Sequence, residues 1–319
     1  MPVLVDSGPS PRGWGYYQPY FRCLKYGGLL TSGLLDDRSD ALTRGTMGRV
    51  GLGHLHLRWM IQQHGGDPNT YYDPESAIEA WCALHPEGNA HKAELVETIR
   101  RYAAKFHTPP GQRILGVEMS FSAVLGHKAG AFGLWVLSPN HAATFNESWR
   151  QGQPLPAAID YAPVEPACLP SGAPIRVTRK LDLVYEEGRG NVCVRDFKCT
   201  VGDVSAARAE AYAMDGQFAV TRIVAAQVWG AQFKFNTIQL VKTNAPWTVK
   251  AHPMPATPWR DALFPQQLYQ KAHEIEHWRG TNVHYHPMAQ HEQVCRGRYG
   301  KDGCPGQGFC GQGPGWAAP

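Results

Sequence analysis

Asp182, Asp196 and Lys198 are the residues whose types and spacing best suit chemistry. Side chains alternate faces along a strand. In the run VCVRDFK, Val192, Val194, Asp196 and Lys198 therefore share one face. Asp182 arrives from the preceding strand, across the hairpin. Three polar groups on a mostly apolar hairpin are costly unless something satisfies them. A divalent cation does so: Mg²⁺ accepts a few carboxylates and keeps several waters. A metal acidifies its water and stabilises charge on a phosphate. Lys198 can orient the attacking water or neutralise the developing phosphorane. These are the parts that phosphodiester hydrolysis requires. The bland alternative is a surface ion pair on an amphipathic strand, since Asp-x-Lys is a common tripeptide.

The elements that must position these groups can be read around them. IRVTRKLDLVY reads as a strand, EEGRGN as a turn and VCVRDFKCT as a second strand. Gly188, Gly190 and Asn191 tolerate the positive φ a hairpin turn uses. Residues 203–229 read as one long helix, FKFNTIQLV as a strand and 264–279 as another helix. Upstream, apolar residues at helical spacing (Val50, His54, Leu57, Ile61) predict a helix over 46–64. Helices are also predicted over 74–84 and 89–105. Pro109-Pro110-Gly111 breaks the chain. ILGVEMSFSAVLG and AFGLWVL read as extended segments. Residues 138–174 read as a long insertion, residues 1–20 as irregular and the tail after Gly311 as loose. Strands, a helix and a strand again indicate a mixed α/β core.

The order apolar-Asp-apolar, turn, apolar run, Asp-x-Lys and then a helix resembles motifs II and III of RecB-type nucleases of the PD-(D/E)XK superfamily. The resemblance is dense over 175–225. It implies a restriction-endonuclease-like core, a mixed central sheet flanked by helices. It also implies a metal-ligating His on an early helix, for which RGTMGRVGLGHLHLRWM offers His54, with His56 as rival. His54, Asp182 and Asp196 would then hold Mg²⁺, or Mn²⁺ given an imidazole ligand. Glu118, in VEMSF, matches the family's acidic strand residue, and Gln217, in DGQFAV, its helix Gln. Gln217 would share a face with Ala213, Val220 and Val224. Two residues depart from the family: Arg179 and Lys180 stand where a Gly is common.

Eight cysteines are present: Cys23, Cys82, Cys168, Cys193, Cys199, Cys295, Cys304 and Cys310. In a reducing compartment clustered cysteines point to metal or catalysis. Cys295, Cys304 and Cys310 form C-x8-C-x5-C in a Gly-rich segment that cannot bury a core of its own, where metal binding can supply folding energy. With Cys23 the set resembles the split iron–sulfur staple of AddB-type and CRISPR-associated RecB-like exonucleases. That implies a [4Fe–4S] cluster clasping the two ends of the chain. Zinc with His284, His286 or His291 is the alternative, and free thiols a third. Cys193 and Cys199 face away from Asp196 and read as packing residues. Cys82 and Cys168 lack partner spacing.

The chain has 319 residues and a net charge of +4, with 43% hydrophobic residues. This is globular composition and only mildly basic. No apolar run approaches the roughly 20 residues that span a membrane, and no signal peptide is read. The expected location is the bacterial cytoplasm, with the chain encoded by the bacterium or a phage. One nuclease domain is expected over 1–310, with its core at about 45–245, a clasp from Cys23 and 295–310, and a flexible tail at 311–319. The resemblance implies an exonuclease acting on free or single-stranded DNA ends in recombination, repair or phage DNA processing. No Walker loop is present, so a helicase or recombinase partner would be a separate protein. A structure-specific endonuclease and a catalytically idle nucleic-acid-binding protein are the rival readings.

Overall fold

A computed structural model describes residues 14–32, 40–106, 112–137 and 164–279, apart from 189, 214 and 255. It opens on two short helices, α1 (Trp14–Arg22) and α2 (Leu24–Thr31), followed by the long α3 (Asp40–Gln63). The irregular start expected for residues 1–20 is thus corrected from Trp14 onward: Tyr17 and Tyr20 are buried in the core, which offsets the Pro19 inside α1. Helix α4 (Pro74–Leu84) coincides with its predicted span. Pro74 occupies the first turn, and Asp73 caps it by accepting from the backbone N–H groups of Glu75 and Ser76. A short 3₁₀ turn then leads into α5 (Lys92–Lys105).

The sheet follows, with β1 (Gln112–Lys128), β2 (Ala131–Val136), β3 (Glu165–Pro166), β4 (Arg176–Glu187) and β5 (Asn191–Thr200). Helices α6 (Ala206–Ala213) and α7 (Gly216–Trp229) lead to β6 (Phe233–Lys242), β7 (Val249–Met254) and α8 (Pro258–Trp278). The single helix expected over 203–229 is two. Asp215 takes extended backbone and accepts from Gln217 N–H, so it caps a new helix rather than continuing the old one. Ala213 therefore belongs to α6, not to the helix that carries Gln217. Strand β7 was not foreseen.

The seven strands form one mixed sheet in the order β2-β1-β4-β5-β6-β7, with β3 against β1. All pairs are antiparallel except β5–β6. That parallel pair needs a crossover, which α6 and α7 supply. One face of the sheet is covered by α1, α7 and α8 through Val192, Val194, Val220, Val224, Phe264 and Leu268. The other is covered by α3, α4 and α5 through Met47, Ile78, Leu95, Tyr102, Leu183 and Phe197. Helix α3 sits close to the sheet because it is glycine-rich. A Cβ on Gly48 would come within 2.3 Å of Cys199 Sγ, so no side chain fits there. Among the described residues no helix is long and apolar enough to cross a membrane.

Candidate active site

Strand β1 changes its facing at Glu118. Val117 packs with the α3–α5 cluster and Met119 with the α7–α8 cluster. Strict alternation would put these two residues, two apart, on the same face. Glu118 between them has φ +54°, a left-handed conformation seldom taken by a residue with a side chain. Strand β4 makes the same change: Leu181 joins one cluster and Leu183 the other. Glu118 and Asp182 fall between the paired positions Val117↔Leu183 and Met119↔Leu181. The β4–β5 ladder pairs residues from Leu183↔Arg195 outward to Glu187↔Asn191 and goes no further toward Asp182. Beyond it, Asp182 Oδ2 accepts from Phe197 N–H at 2.9 Å, so a side chain takes over where the ladder ends.

Glu118, Asp182 and Asp196 are all buried. Asp196 is heavily engaged. Its Oδ1 accepts from Arg179 Nη2 at 2.9 Å and from Gln217 Nε2, and its Oδ2 pairs with Lys198 Nζ at 2.8 Å. Gln217 Oε1 lies 3.4 Å from Lys198 Nζ, so Gln217 bridges the Asp–Lys pair. Arg179 also donates to Thr221 Oγ1 at 2.7 Å, which ties β4 to α7. Arg49, on α3, brings its Nε to 3.9 Å from Glu118 Oε1. Sequence reasoning gave no role to Arg49 or Arg179. A basic residue in a strand reads as surface, and only the buried Asp196 reveals why Arg179 is internal.

The electrostatics separate the three carboxyls. Burial pushes Glu118 up to about 8, with Arg49 opposing and Asp182 adding to the rise. Burial and then Asp196 raise Asp182. Burial acts the same way on Asp196, but Lys198 and Arg179 together outweigh it and hold that carboxyl below its usual range. Burial lowers Lys198, yet Asp196 and Asp182 outweigh it and raise the ammonium above its usual value. Lys198 therefore keeps its protons.

His54 is buried, and burial lowers it to about 4 against the opposing pull of the Tyr72 carbonyl. Its Nδ1 lies 3.1 Å from that carbonyl oxygen. A carbonyl only accepts, so Nδ1 carries the proton and Nε2 the lone pair, the tautomer a ligating imidazole needs. The preceding residue, Gly53, lies against Glu118: a Cβ there would be 3.8 Å from Glu118 Oε1. His56 is placed differently. It stacks on Phe197 with ring centroids 5.2 Å apart and bonds to Tyr102 Oη at 3.2 Å, inside an aromatic cluster.

His54, Asp182 and Asp196 are not gathered into a three-ligand set. Among the described residues no three His, Cys, Asp or Glu side chains converge closely enough to hold an ion. Asp196 is drawn to Arg179, Lys198 and Gln217, and His54 Nδ1 to Tyr72. The donor chemistry nonetheless fits a hard cation. Both oxygens of Glu118 and Oδ1 of Asp182 are buried without a hydrogen-bond donor, and Oδ2 of Asp196 meets the Lys198 ammonium. Native proteins seldom leave such atoms unsatisfied, and carboxylate oxygens are what Mg²⁺ and Mn²⁺ take.

Of the cysteines, Cys193 is buried in the α3–α5 cluster, Cys199 packs against it and Cys82 lies within it. Cys168 is exposed and Cys23, half-buried, precedes α2. Cys295, Cys304, Cys310, His284, His286 and His291 lie outside the described residues, as do most of the 138–174 insertion and the 311–319 tail.

No family model matches the chain, and neither does any curated protein. Among solved structures, the chain is similar to the crystal structure of a "Putative exonuclease" from Eubacterium rectale. The identity is 12% and the TM-score 0.40, with 83% of this chain and 79% of that chain covered.

Proposed function

We propose that this chain is a metal-dependent deoxyribonuclease that hydrolyses DNA phosphodiester bonds as an exonuclease. The reading is supported by one observation above others. Glu118, Asp182 and Asp196 are buried near the point where two strands part, both Glu118 oxygens and Asp182 Oδ1 lack donors, and a lysine pairs with Asp196. Glu118, Asp182 and Asp196 would hold Mg²⁺ or Mn²⁺, with His54 Nε2 as a further ligand. When bound, the ion would supply positive charge to the scissile phosphate and an acidified water.

The chain's own groups do the rest. Lys198 stays protonated, so it acts as a hydrogen-bond donor to water or a phosphate oxygen, not as a base. Gln217 holds the Asp196–Lys198 pair in one geometry. Asp182 is fixed through Oδ2 by Phe197 N–H, which leaves Oδ1 for a ligand. Arg49 adds positive charge beside Glu118.

The test is digestion of linear and closed circular DNA with Mn²⁺ by wild type and Asp196→Ala. Loss of linear DNA alone, abolished in the variant, is the exonuclease result. Cutting of closed circles would make the protein an endonuclease on the same fold. Equal treatment of linear DNA by both proteins would leave a nucleic-acid-binding protein without catalysis. A [4Fe–4S] clasp from Cys23, Cys295, Cys304 and Cys310 belongs to the same proposal, supported by the cysteine spacing. An anaerobic preparation should be brown, and a colourless one holding zinc would replace the cluster. A role in recombination, repair or phage DNA processing beside a separate helicase or recombinase follows from the resemblance alone.

A further inference from the structure

A second concave surface lies between the C-terminal turns of α5 and the connection from β6 to β7. It encloses about 370 Å³ and is lined in part by Thr98, Arg101, Tyr102, Lys105, Lys242 and Trp247. Three lining residues are cationic and none is a carboxylate. Glu97, one turn back on α5, bonds Arg101 Nε at 2.6 Å and offsets one charge. Trp247 is 40% exposed, unusual for so large an apolar ring. The Arg101 guanidinium lies 4.0 Å from its centroid and holds one side of it. The connection is pinned to the sheet and to α5. Thr243 N–H donates to Thr200 O at 2.9 Å, and Thr98 Oγ1 donates to Thr243 O at 3.1 Å.

The groove lies on the α3–α5 side of the sheet, and Asp196 and Lys198 project from the opposite face toward Gln217 of α7. Strands β5 and β6 run parallel, with Lys198 opposite Leu240 and Thr200 opposite Lys242. At about 3.3 Å per residue and about 4.8 Å between strands, the Lys242 and Lys198 backbones stand about 8 Å apart. Tyr102, in the groove wall, bonds Gln239 and packs on Phe197, the residue between Asp196 and Lys198.

We propose that the groove binds a single strand of DNA, with an unpaired base stacked on Trp247 and phosphates held by Arg101, Lys105 and Lys242. Cations alone would suit any polyanion. The exposed ring among them selects a nucleic acid strand whose bases are free to stack, because a duplex hides its base faces. The inference rests on the nuclease reading for the identity of the polymer.

The test is fluorescence anisotropy of a labelled short DNA single strand with the full chain in EDTA, so that cleavage plays no part. Trp247→Ala should weaken binding about five- to a hundredfold, the worth of one stacked base. Trp247→Phe, which keeps a stacking ring, should recover most of that. Lys105→Gln with Lys242→Gln removes two phosphate contacts and should flatten the slope of log K against log salt by about 1.4. Duplex of equal length should compete poorly. Unchanged affinity in both the Trp247→Ala and the double lysine variants, or equal competition by duplex, overturns the proposal. Cleavage by wild type with Mn²⁺ is scored separately. A protein that binds through Trp247 but never cleaves keeps the groove and loses the nuclease; one that cleaves but ignores Trp247 does the reverse.

Discussion

Replacing Arg179 by Met tests whether the buried charges at the centre are organised as described. Arg179 is only 7% exposed and holds Asp196 at 2.9 Å and Thr221 at 2.7 Å. Removing one partner of a buried pair typically costs about 3–5 kcal/mol, because the other charge is left uncompensated. Asp196 would keep Lys198 at 2.8 Å and its bond from Gln217, so the low end applies, about 3 kcal/mol. Thr221 would lose only an accepted bond, since its hydroxyl still donates to the Gln217 carbonyl at 2.8 Å. Urea unfolding should show the loss as a lower midpoint at unchanged m. Melting should fall by about 6–12 °C, at about 2–4 °C per kcal/mol. In an Asp196→Asn background the same substitution should cost about 1 kcal/mol, a coupling of about 2 kcal/mol. A cost below about 1 kcal/mol in wild type, or equal costs in the two backgrounds, would refute the reasoning.

Stability without metal should peak between about pH 6 and 7. Below that range His54 and His56 dominate, held by burial at about 4 and about 3, below the ordinary histidine value of 6.5. The unfolded chain then binds more protons there, and stability rises with pH. Glu118 has the opposite sign: raised to about 8 from 4.5, it stays protonated in the fold, so stability falls between pH 6.5 and 8. Thermal melts should show both limbs, and Glu118→Gln should flatten the alkaline one; a limb unchanged in that variant counts against the assignment. Mn²⁺ should also flatten it, because ligation needs the ionised carboxylate. The two histidines should separate by calorimetry. His54→Ala should weaken Mn²⁺ binding by at least about tenfold, whereas His56→Ala should lower stability through lost packing and leave Mn²⁺ affinity alone. The reverse pattern would exchange their roles.

The hairpin, the α4 span and the mixed α/β class were readable because each rests on local signals: alternation, a Pro-led capped helix and glycine turns. The break between α6 and α7 was equally local, in Asp215-Gly216, but the continuous apolar pattern across 206–229 masked it. Strand β7, VKAHPM, alternates poorly and sits at the sheet edge, so periodicity misses it. The reversal of facing at Glu118 leaves no trace in the sequence. A left-handed residue is usually announced by Gly or Asn, and here the surrounding ladder imposes it on a glutamate, the kind of strain found at functional sites. Asp182, Asp196, Lys198, Glu118 and Gln217 were named from the resemblance and spacing. That Arg179 and Arg49 hold this centre together depends on burial and distances that no spacing encodes.

The most direct test of the carboxylate–lysine centre is release of nucleotides from end-labelled linear DNA with Mn²⁺ by wild type, Asp182→Asn and Lys198→Met. All three should bind a labelled strand in EDTA. Wild type should release label, and both variants should be slowed at least about a hundredfold, as loss of a group acting on the transition state demands. Release at wild-type rates by either folded variant would contradict the account.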